Sequence, residues 1–180
     1  MGSSQSSPAK TSKGGGWTGT IYFDPHADKS SGDKYTNTCF ELERMFEALT
    51  ETDEHILNVM IYKVPLSDWQ LTMGLFYHAY VVYETENWWW SIEQNTEGLT
   101  VQRSKTDQAV RDRYRQGLRN ESPVLIIEDW GKRTMQDVAG FLYSEDFLNN
   151  PYSWTHNNCK HFAKAFFDEV GKLHNFTVGP

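Results

Sequence analysis

Apolar residues recur along the chain in two spacings, which separate predicted strands from predicted helices. Strands are predicted where β-branched and aromatic residues run together or alternate, and helices where apolar residues repeat every three or four positions. The predicted strands cover residues 17–23, 55–64, 74–84, 88–95, 99–104 and 124–128. Helices are predicted over residues 38–50 and 107–116, from Thr134, and from about Asn157.

The order of these elements predicts an α+β fold with a largely antiparallel sheet and packed helices, because hairpin-connected strands lie between the helices. A length of 180 residues is that of one ordinary domain, and the hydrophobic fraction of 38% is enough for a substantial core. Residues 1–16 are rich in Ser, Gly and Lys, a composition typical of disorder. We therefore expect a disordered tail over residues 1–16 and a single domain over residues 17–180.

The run Trp88-Trp89-Trp90 has to divide between two faces of the sheet, because side chains alternate along a strand. One interpretation is that helices cover both faces of the sheet at this point, and this is the one we favour. The other is that Trp89 forms an exposed ledge for a lipid or a protein partner.

Two features suggest peripheral contact with a membrane. Gly2 lies in an M-G-x-x-x-S pattern that permits N-myristoylation, although a chance match or a cloning remnant explains the pattern equally well. One acyl chain anchors a protein only marginally, so a second signal is needed. Residues 103–119 hold six basic and two acidic side chains, a local charge of +4, and either supply that signal or form an ordinary solvated helix face.

Charge and cysteine content narrow the class of protein. The net charge of −7 disfavours general binding of nucleic acid. Cys39 falls on the apolar stripe of the helix predicted over residues 38–50, which indicates a structural role, and neither Cys39 nor Cys159 belongs to a CxxC pair. Without a spanning segment or a secretory signal, the sequence predicts a cytoplasmic protein. No metal site is expected, since the side chains of Cys159 and His161 point in different directions on a helix. No cofactor is expected either.

Cys159 is the first candidate for chemistry, because it opens the last predicted helix on its apolar face. The unpaired N–H groups and the positive end of a helix stabilise a thiolate and lower the pKa of the thiol. The same N–H groups can stabilise the oxyanion that forms during acyl transfer. The alternative is that Cys159 is a small buried core residue, so a nearby base is needed to favour the nucleophile.

His78 is the candidate base. It lies in the predicted strand 74–84 among bulky apolar residues, and it is either buried and hydrogen-bonded or catalytic. A two-residue turn at residues 85–86 sets His78 directly opposite Glu93 on the next strand. A carboxylate beside an imidazole can fix its tautomer and stabilise the imidazolium. Thr-Glu is an unfavourable turn sequence, however, and in the alternative Glu93 is an exposed strand residue.

A resemblance to a known family follows from these residues. A His on a strand, a polar residue on the next strand, and Asn-Asn-Cys-x-His-Phe at the start of a late helix resemble the circularly permuted papain-like fold of NlpC type. Its branches include the lecithin:retinol acyltransferase-like and PPPDE proteins. Residues 78–83 and 152–167 carry the resemblance. The acyltransferase-like members usually have a second His on the hairpin, where this chain has Trp90 or Glu93.

The resemblance implies that Cys159 is the nucleophile, His78 the general base and Glu93 the third polar residue, and we assign Asn158 to the support of the oxyanion. It also implies a cysteine hydrolase or acyltransferase that acts through a thioester without a cofactor. Lipid acyl groups are the expected substrate because of the aromatic content, the myristoylation pattern at Gly2 and the local charge of +4 over residues 103–119. Two alternatives stay open. One is an isopeptidase or peptidase of PPPDE type, acting on acylated or isopeptide-linked proteins, and the other is a non-catalytic, membrane-associated scaffold of the same fold.

Overall fold

The computed structural model contains one mixed sheet of seven strands. It describes residues 19–29, 35–37, 41, 44, 53–65, 77–115, 117–145, 147, 149–153 and 156–173. The strands of the sheet are β1 (Thr20–Asp24), β2 (Tyr35–Asn37), β3 (Ile56–Pro65), β4 (Tyr77–Thr85), β5 (Trp89–Gln94), β6 (Gly98–Ser104) and β9 (Val124–Trp130). Their spatial order is β2-β1-β6-β5-β4-β3-β9, and only the pair β1 and β6 is parallel. The predicted α+β class with a largely antiparallel sheet is confirmed.

Three helices have both ends within the described residues, α1 (Asp107–Arg111), α2 (Met135–Ser144) and α3 (Cys159–Val170). The predicted start of α2 is confirmed, because the Thr134 side chain accepts a hydrogen bond from the Asp137 N–H and forms a capping box with it. The predicted last helix is also confirmed. Its apolar residues, Cys159, Phe162, Ala163, Phe166, Phe167 and Val170, are all buried.

Both faces of the sheet are covered. On one face, α2 and α3 pack against a core that includes Trp90, Tyr83 and Phe166. On the other face, Val110 of α1 joins a smaller cluster against which Trp89 packs. The interpretation that helices cover both faces at the tryptophan run is therefore confirmed, and no exposed Trp89 ledge forms.

The helix predicted over residues 107–116 is wrong beyond Arg111. The chain turns at Asp112 and forms a short hairpin of β7 (Arg113–Tyr114) and β8 (Gly117–Leu118), with Arg115 in the left-handed region at φ 46°. The buried residues of α1 are Ala109 and Val110 alone. A helix with so small an apolar face gains too little from packing to continue.

Several sequence predictions lie outside the described residues. They are the tail over residues 1–16 with Gly2, and most of the helix over residues 38–50 with Cys39, of which Glu41 and Arg44 are helical. The predicted strand 74–84 is described from Tyr77 onward.

The basic run over residues 103–119 does not form a cationic helix face. All six basic side chains bind groups of the protein itself, in pairs formed by Arg103 with the Pro25 carbonyl, Lys105 with the Asn87 carbonyl, Arg111 with Asp107 and Asp112, Arg113 with the Ala27 carbonyl, Arg115 with Glu97 and Arg119 with Glu93. The expected membrane contact loses this support. Across the described residues, no helix combines the length and apolar character needed to cross a bilayer.

Candidate active site

The strands β4 and β5 part near the start of β4, and the N-terminus of α3 lies at this opening. The ladder between the two strands ends at the pair Val81 and Ile92. Strand β4 begins four residues earlier, at Tyr77, and on its other side it stays paired with β3 over this stretch. Backbone groups of β4 that would face β5 in a regular ladder therefore face Cys159, the first residue of α3.

The Cys159 thiol is enclosed by hydrogen-bonding groups. The residue is 4% exposed. Its Sγ lies 4.0 Å from the Tyr77 carbonyl oxygen and accepts a hydrogen bond from the Ala79 N–H. The Tyr152 hydroxyl donates to Sγ at 3.9 Å. The sulfur thus occupies the place that a neighbouring strand would take in a continuous ladder.

His78 links the thiol to a carboxylate. Its Nε2 lies 2.6 Å from Glu93 Oε2, and its side chain is 16% exposed against 1% for Glu93. The Cys159 side chain lies close enough to the imidazole to raise the pKa of His78. Because Nε2 is taken by Glu93, Nδ1 is the ring nitrogen that is left for the thiol. The structure therefore brings together Cys159, His78 and Glu93, the three residues that sequence analysis selected.

The predicted register between β4 and β5 is wrong, although it selected the correct partner. Tyr83 pairs with Trp90, a shift of two residues from the predicted pairing, so His78 and Glu93 are diagonal neighbours rather than directly opposite. A shift of two residues leaves both side chains on the same face, and diagonal neighbours are within reach of long side chains. The turn is closed by a hydrogen bond from the Thr85 N–H to the Trp88 carbonyl and spans residues 86–87.

Arg119 is the site residue that sequence analysis missed. Its Nη2 donates to Glu93 Oε1 at 2.6 Å, and its Nη1 donates to Oε2 at 3.4 Å. The guanidinium lies 3.8 Å from the centre of the Tyr80 ring, and Nε donates to the Arg111 carbonyl at 3.1 Å. The side chain is 7% exposed. The only sequence signal was the basic run, in which nothing distinguishes the inward residue from the others.

The surroundings favour the charged forms of the thiol and the imidazole. Burial alone would raise the pKa of Cys159, but the hydrogen bond and charge of His78, together with the Ala79 N–H and the Tyr152 hydroxyl, lower it below its ordinary value. Burial alone would lower the pKa of His78, but hydrogen bonds to Cys159 and Glu93 raise it to about 9. The lowered pKa of the thiol and the raised pKa of the imidazole both favour a thiolate–imidazolium pair over the neutral pair.

Glu93 stays ionised for a different reason. Burial alone would raise its pKa, but the charge of Arg119 and the hydrogen bond with His78 lower it to about 2. Thiolate, imidazolium, carboxylate and guanidinium then sum to zero net charge. Burying four charges that sum to zero costs far less free energy than burying a group of charges with a net charge.

Asn158 supports the nucleophile by capping α3. Its Oδ1 accepts hydrogen bonds from the N–H groups of Lys160 and His161 at 3.0 and 3.2 Å, and it lies 2.9 Å from His161 Nδ1. This oxygen is an acceptor, so the predicted support of an oxyanion by Asn158 would have to come from its Nδ2 amide group. Within the part of the chain that the structure describes, the donors that reach Cys159 Sγ are the Ala79 N–H and the Tyr152 hydroxyl.

Comparison with protein-family models, with curated proteins and with solved structures gave no match to this chain. The resemblance to the NlpC-type fold therefore rests on the sequence motifs alone. Within the described part of the chain, no group of three or more His, Cys, Asp or Glu side chains is placed to hold a metal ion. The function has to be argued from the geometry at Cys159.

Proposed function

We propose that the protein is a cysteine-dependent hydrolase or acyltransferase that forms a thioester on Cys159. The observation that carries the proposal is the set of three interacting side chains Cys159, His78 and Glu93, with 2.6 Å between His78 Nε2 and Glu93 Oε2. A nucleophile, a base and a group that orients the base are the parts that acyl transfer through a thiol requires.

The proposed reaction has two steps that share His78. The Cys159 thiolate attacks the carbonyl carbon of the substrate and a C–S bond forms. The bond from this carbon to the leaving oxygen or nitrogen breaks, and the leaving atom takes the proton of the His78 imidazolium. In the second step, His78 takes a proton from water or from an acceptor hydroxyl or amine, which attacks the thioester and releases the thiolate.

The oxyanion of each step forms within bonding reach of Sγ. The Tyr152 hydroxyl already points at this sulfur, and burial first, then the nearby Cys159, raises its pKa, so it keeps its proton as a donor. The first-turn N–H groups of α3 add the positive end of a helix.

The buried charges argue against a purely structural role for these residues. A buried ion pair is often no more stabilising than apolar residues of similar volume, and Glu93 and Arg119 are both almost fully buried. A core that served only stability would be better filled by apolar side chains. Perturbed titratable groups that meet at a nucleophile are instead typical of active sites.

We propose an acyl lipid as the donor, with an isopeptide- or peptide-linked protein as the alternative. A cavity of about 440 Å³ adjoins the site at Arg119. Its wall is apolar on one side, at Tyr62, Leu118, Pro123 and Leu125, and polar or charged elsewhere, at Arg111, Asp112, Arg119, Asn120, Glu121 and Ser122. Tyr62 stacks on Tyr80, which in turn stacks on His78. An apolar chain in this cavity would contact Tyr62, which is separated from the His78 imidazole by the Tyr80 ring.

The test is acylation of the protein by an activated acyl ester, followed by mass analysis of the Cys159 peptide. Wild type is expected to form a hydroxylamine-sensitive adduct, whereas Cys159→Ser and His78→Ala should not. His55→Ala is the matched control, because His55 is exposed and lies outside the site. Adducts collected from lysate lipids and from lysate peptides separate the two donors. An equal adduct in Cys159→Ser would refute the proposal.

A further inference from the structure

We propose that Arg119 is a positioning residue for this reaction, which balances the charge of Glu93 so that Cys159 can hold a thiolate opposite the His78 imidazolium. The inference rests on the proposed function for its catalytic meaning. Arg119 touches neither the thiol nor the imidazole in any described contact, so it would act through Glu93.

The geometry fixes Arg119 more firmly than a surface ion pair. Both terminal nitrogens of the guanidinium donate to Glu93, and Nε donates to the Arg111 carbonyl. The Arg119 N–H donates to the Asp112 carbonyl at 2.9 Å, and the guanidinium lies over the Tyr80 ring. Planar, two-point binding of a carboxylate is the geometry that Arg provides and Lys does not.

The charge balance gives Arg119 its role. With Arg119 present, the state with a thiolate, an imidazolium and the Glu93 carboxylate has no net charge. Without Arg119, the same state carries one buried negative charge, and the site becomes neutral when the Cys159 thiol keeps its proton. Loss of Arg119 should therefore raise the pH at which the thiolate forms, although Arg119 does not contact the sulfur.

Among the described residues, no other group around the site replaces this cation. Asp112, whose charge helps to raise the pKa of Tyr80, forms an ion pair with Arg111. The hydroxyl groups facing the four charges are those of Tyr80, Tyr114 and Tyr152, and burial first of all raises each of their pKa values, so they remain neutral. On the α3 side, the ammonium groups of Lys160 and Lys63 lie 4.2 and 5.4 Å from the centre of the Tyr77 ring, on the side of the site away from Glu93.

The experiment measures the rate at which iodoacetamide alkylates Cys159 as a function of pH, quantified on the Cys159 peptide. In Arg119→Met we expect the rate at pH 7 to fall roughly tenfold and the profile to move to higher pH. Arg119→Lys should recover part of the rate, because it restores the charge without the two-point geometry. Arg115→Met is the matched control, since Arg115 pairs with Glu97 in the same hairpin, and it should leave the profile unchanged.

The double variant Glu93→Gln with Arg119→Met tests whether Arg119 acts by balancing the charge of Glu93. It removes both members of the pair, so thiolate and imidazolium again balance, and the alkylation profile should return toward that of wild type. It also contains no unpaired buried charge, so it can be measured even where Arg119→Met fails to fold. A wild-type profile in folded Arg119→Met, or a double variant that stays slow, would overturn the inference.

This readout is separate from the proposed function, because alkylation needs no substrate. If wild type forms no acyl adduct while the profiles move as expected, the charge-balancing role of Arg119 stands and the proposed function fails. If acylation occurs and the profiles do not move, Arg119 has only a structural role.

Discussion

Acid should weaken the fold through Glu93, and Glu93→Gln should remove that part of the pH dependence. The carboxylate is buried between Arg119 and His78, which hold its pKa at about 2, against 4.5 for a free side chain. A group with a lower pKa in the folded state stabilises the fold above its unfolded pKa and loses that stabilisation as the pH falls toward the folded value. For Glu93 this window lies between about pH 4.5 and pH 2.

The size of the effect follows from the gap between the two values. At about 1.4 kcal/mol per pH unit, the Glu93 carboxylate contributes about 3 kcal/mol above this window. Between pH 5 and pH 3.5, the loss is about 1 kcal/mol, because the carboxylate then protonates in the unfolded chain and not in the folded one. A free histidine is already protonated at pH 5, so the window separates Glu93 from the unfolded-state titration of His78.

The assay is urea unfolding of wild type and Glu93→Gln at pH 5 and pH 3.5. Wild type should lose about 1 kcal/mol more than Glu93→Gln between the two conditions. Glu97→Gln is the matched control, because Glu97 pairs with Arg115 but its side chain is 58% exposed, and it should behave as wild type does. Equal losses in wild type and Glu93→Gln would refute the buried, arginine-bound carboxylate.

Three further predictions concern the nucleophile, the base and the backbone. The Cys159 thiol should titrate below the unperturbed value of about 8.5 in iodoacetamide labelling, and a midpoint at or above that value would contradict activation. His78→Ala should abolish acylation with little change in the thermal midpoint, because the carboxylate keeps its guanidinium partner; unfolding would instead indicate a structural histidine. Gly131→Ala should lower the free energy of unfolding in urea by about 2 kcal/mol or more, since a Cβ there would lie 2.1 Å from a backbone oxygen. Gly140 is exposed in α2 with nothing near its Cβ position, so Gly140→Ala should raise that free energy by about 0.5–1 kcal/mol.

The contact between His78 and Glu93 could be predicted because it needs only that the two side chains lie on the same face of the sheet. It does not need the exact register between β4 and β5. Side chains on one face of a strand recur every two residues, so an error of two in the turn leaves the same pair within reach. An error of one would have placed Glu93 on the face that packs against α3. The sequence therefore identifies Glu93 as the partner of His78, but it does not determine the register between β4 and β5.

The true turn depends on a residue far away in the chain. The buried carboxylate of Glu54 accepts hydrogen bonds from the Thr85 hydroxyl, just before the turn, and from Asn87 Nδ2, within it. These bonds favour a turn at residues 86–87 over the one predicted at residues 85–86. No local pattern could show this, because the carboxylate comes from the segment before β3.

Arg119 was missed for a related reason. The sequence places it in a run of basic residues, and a helix through residue 116 would have left these side chains on a solvated face. The chain instead leaves the helix after Arg111 and forms a hairpin whose backbone hydrogen-bonds the Gln102 side chain of β6. Which arginine reaches Glu93 is decided by that hairpin, and its geometry follows from tertiary packing rather than from residue spacing.

The position of Cys159 depends on both ends of α3. At the first turn, Asn158 caps the helix and fixes the residue beside β4. At the far end, the Lys132 N–H donates to the Val170 carbonyl, and the bridge between Gly131 and Gly171 brings the helix end against the end of β9. A packed helix of twelve residues moves nearly as a rigid rod, so a displacement at its C-terminus is carried to the nucleophile. Bulk at Gly131 should therefore disturb the thiol as well as the fold, which ties the chemistry of the site to the close approach of two backbones at the opposite end of the helix.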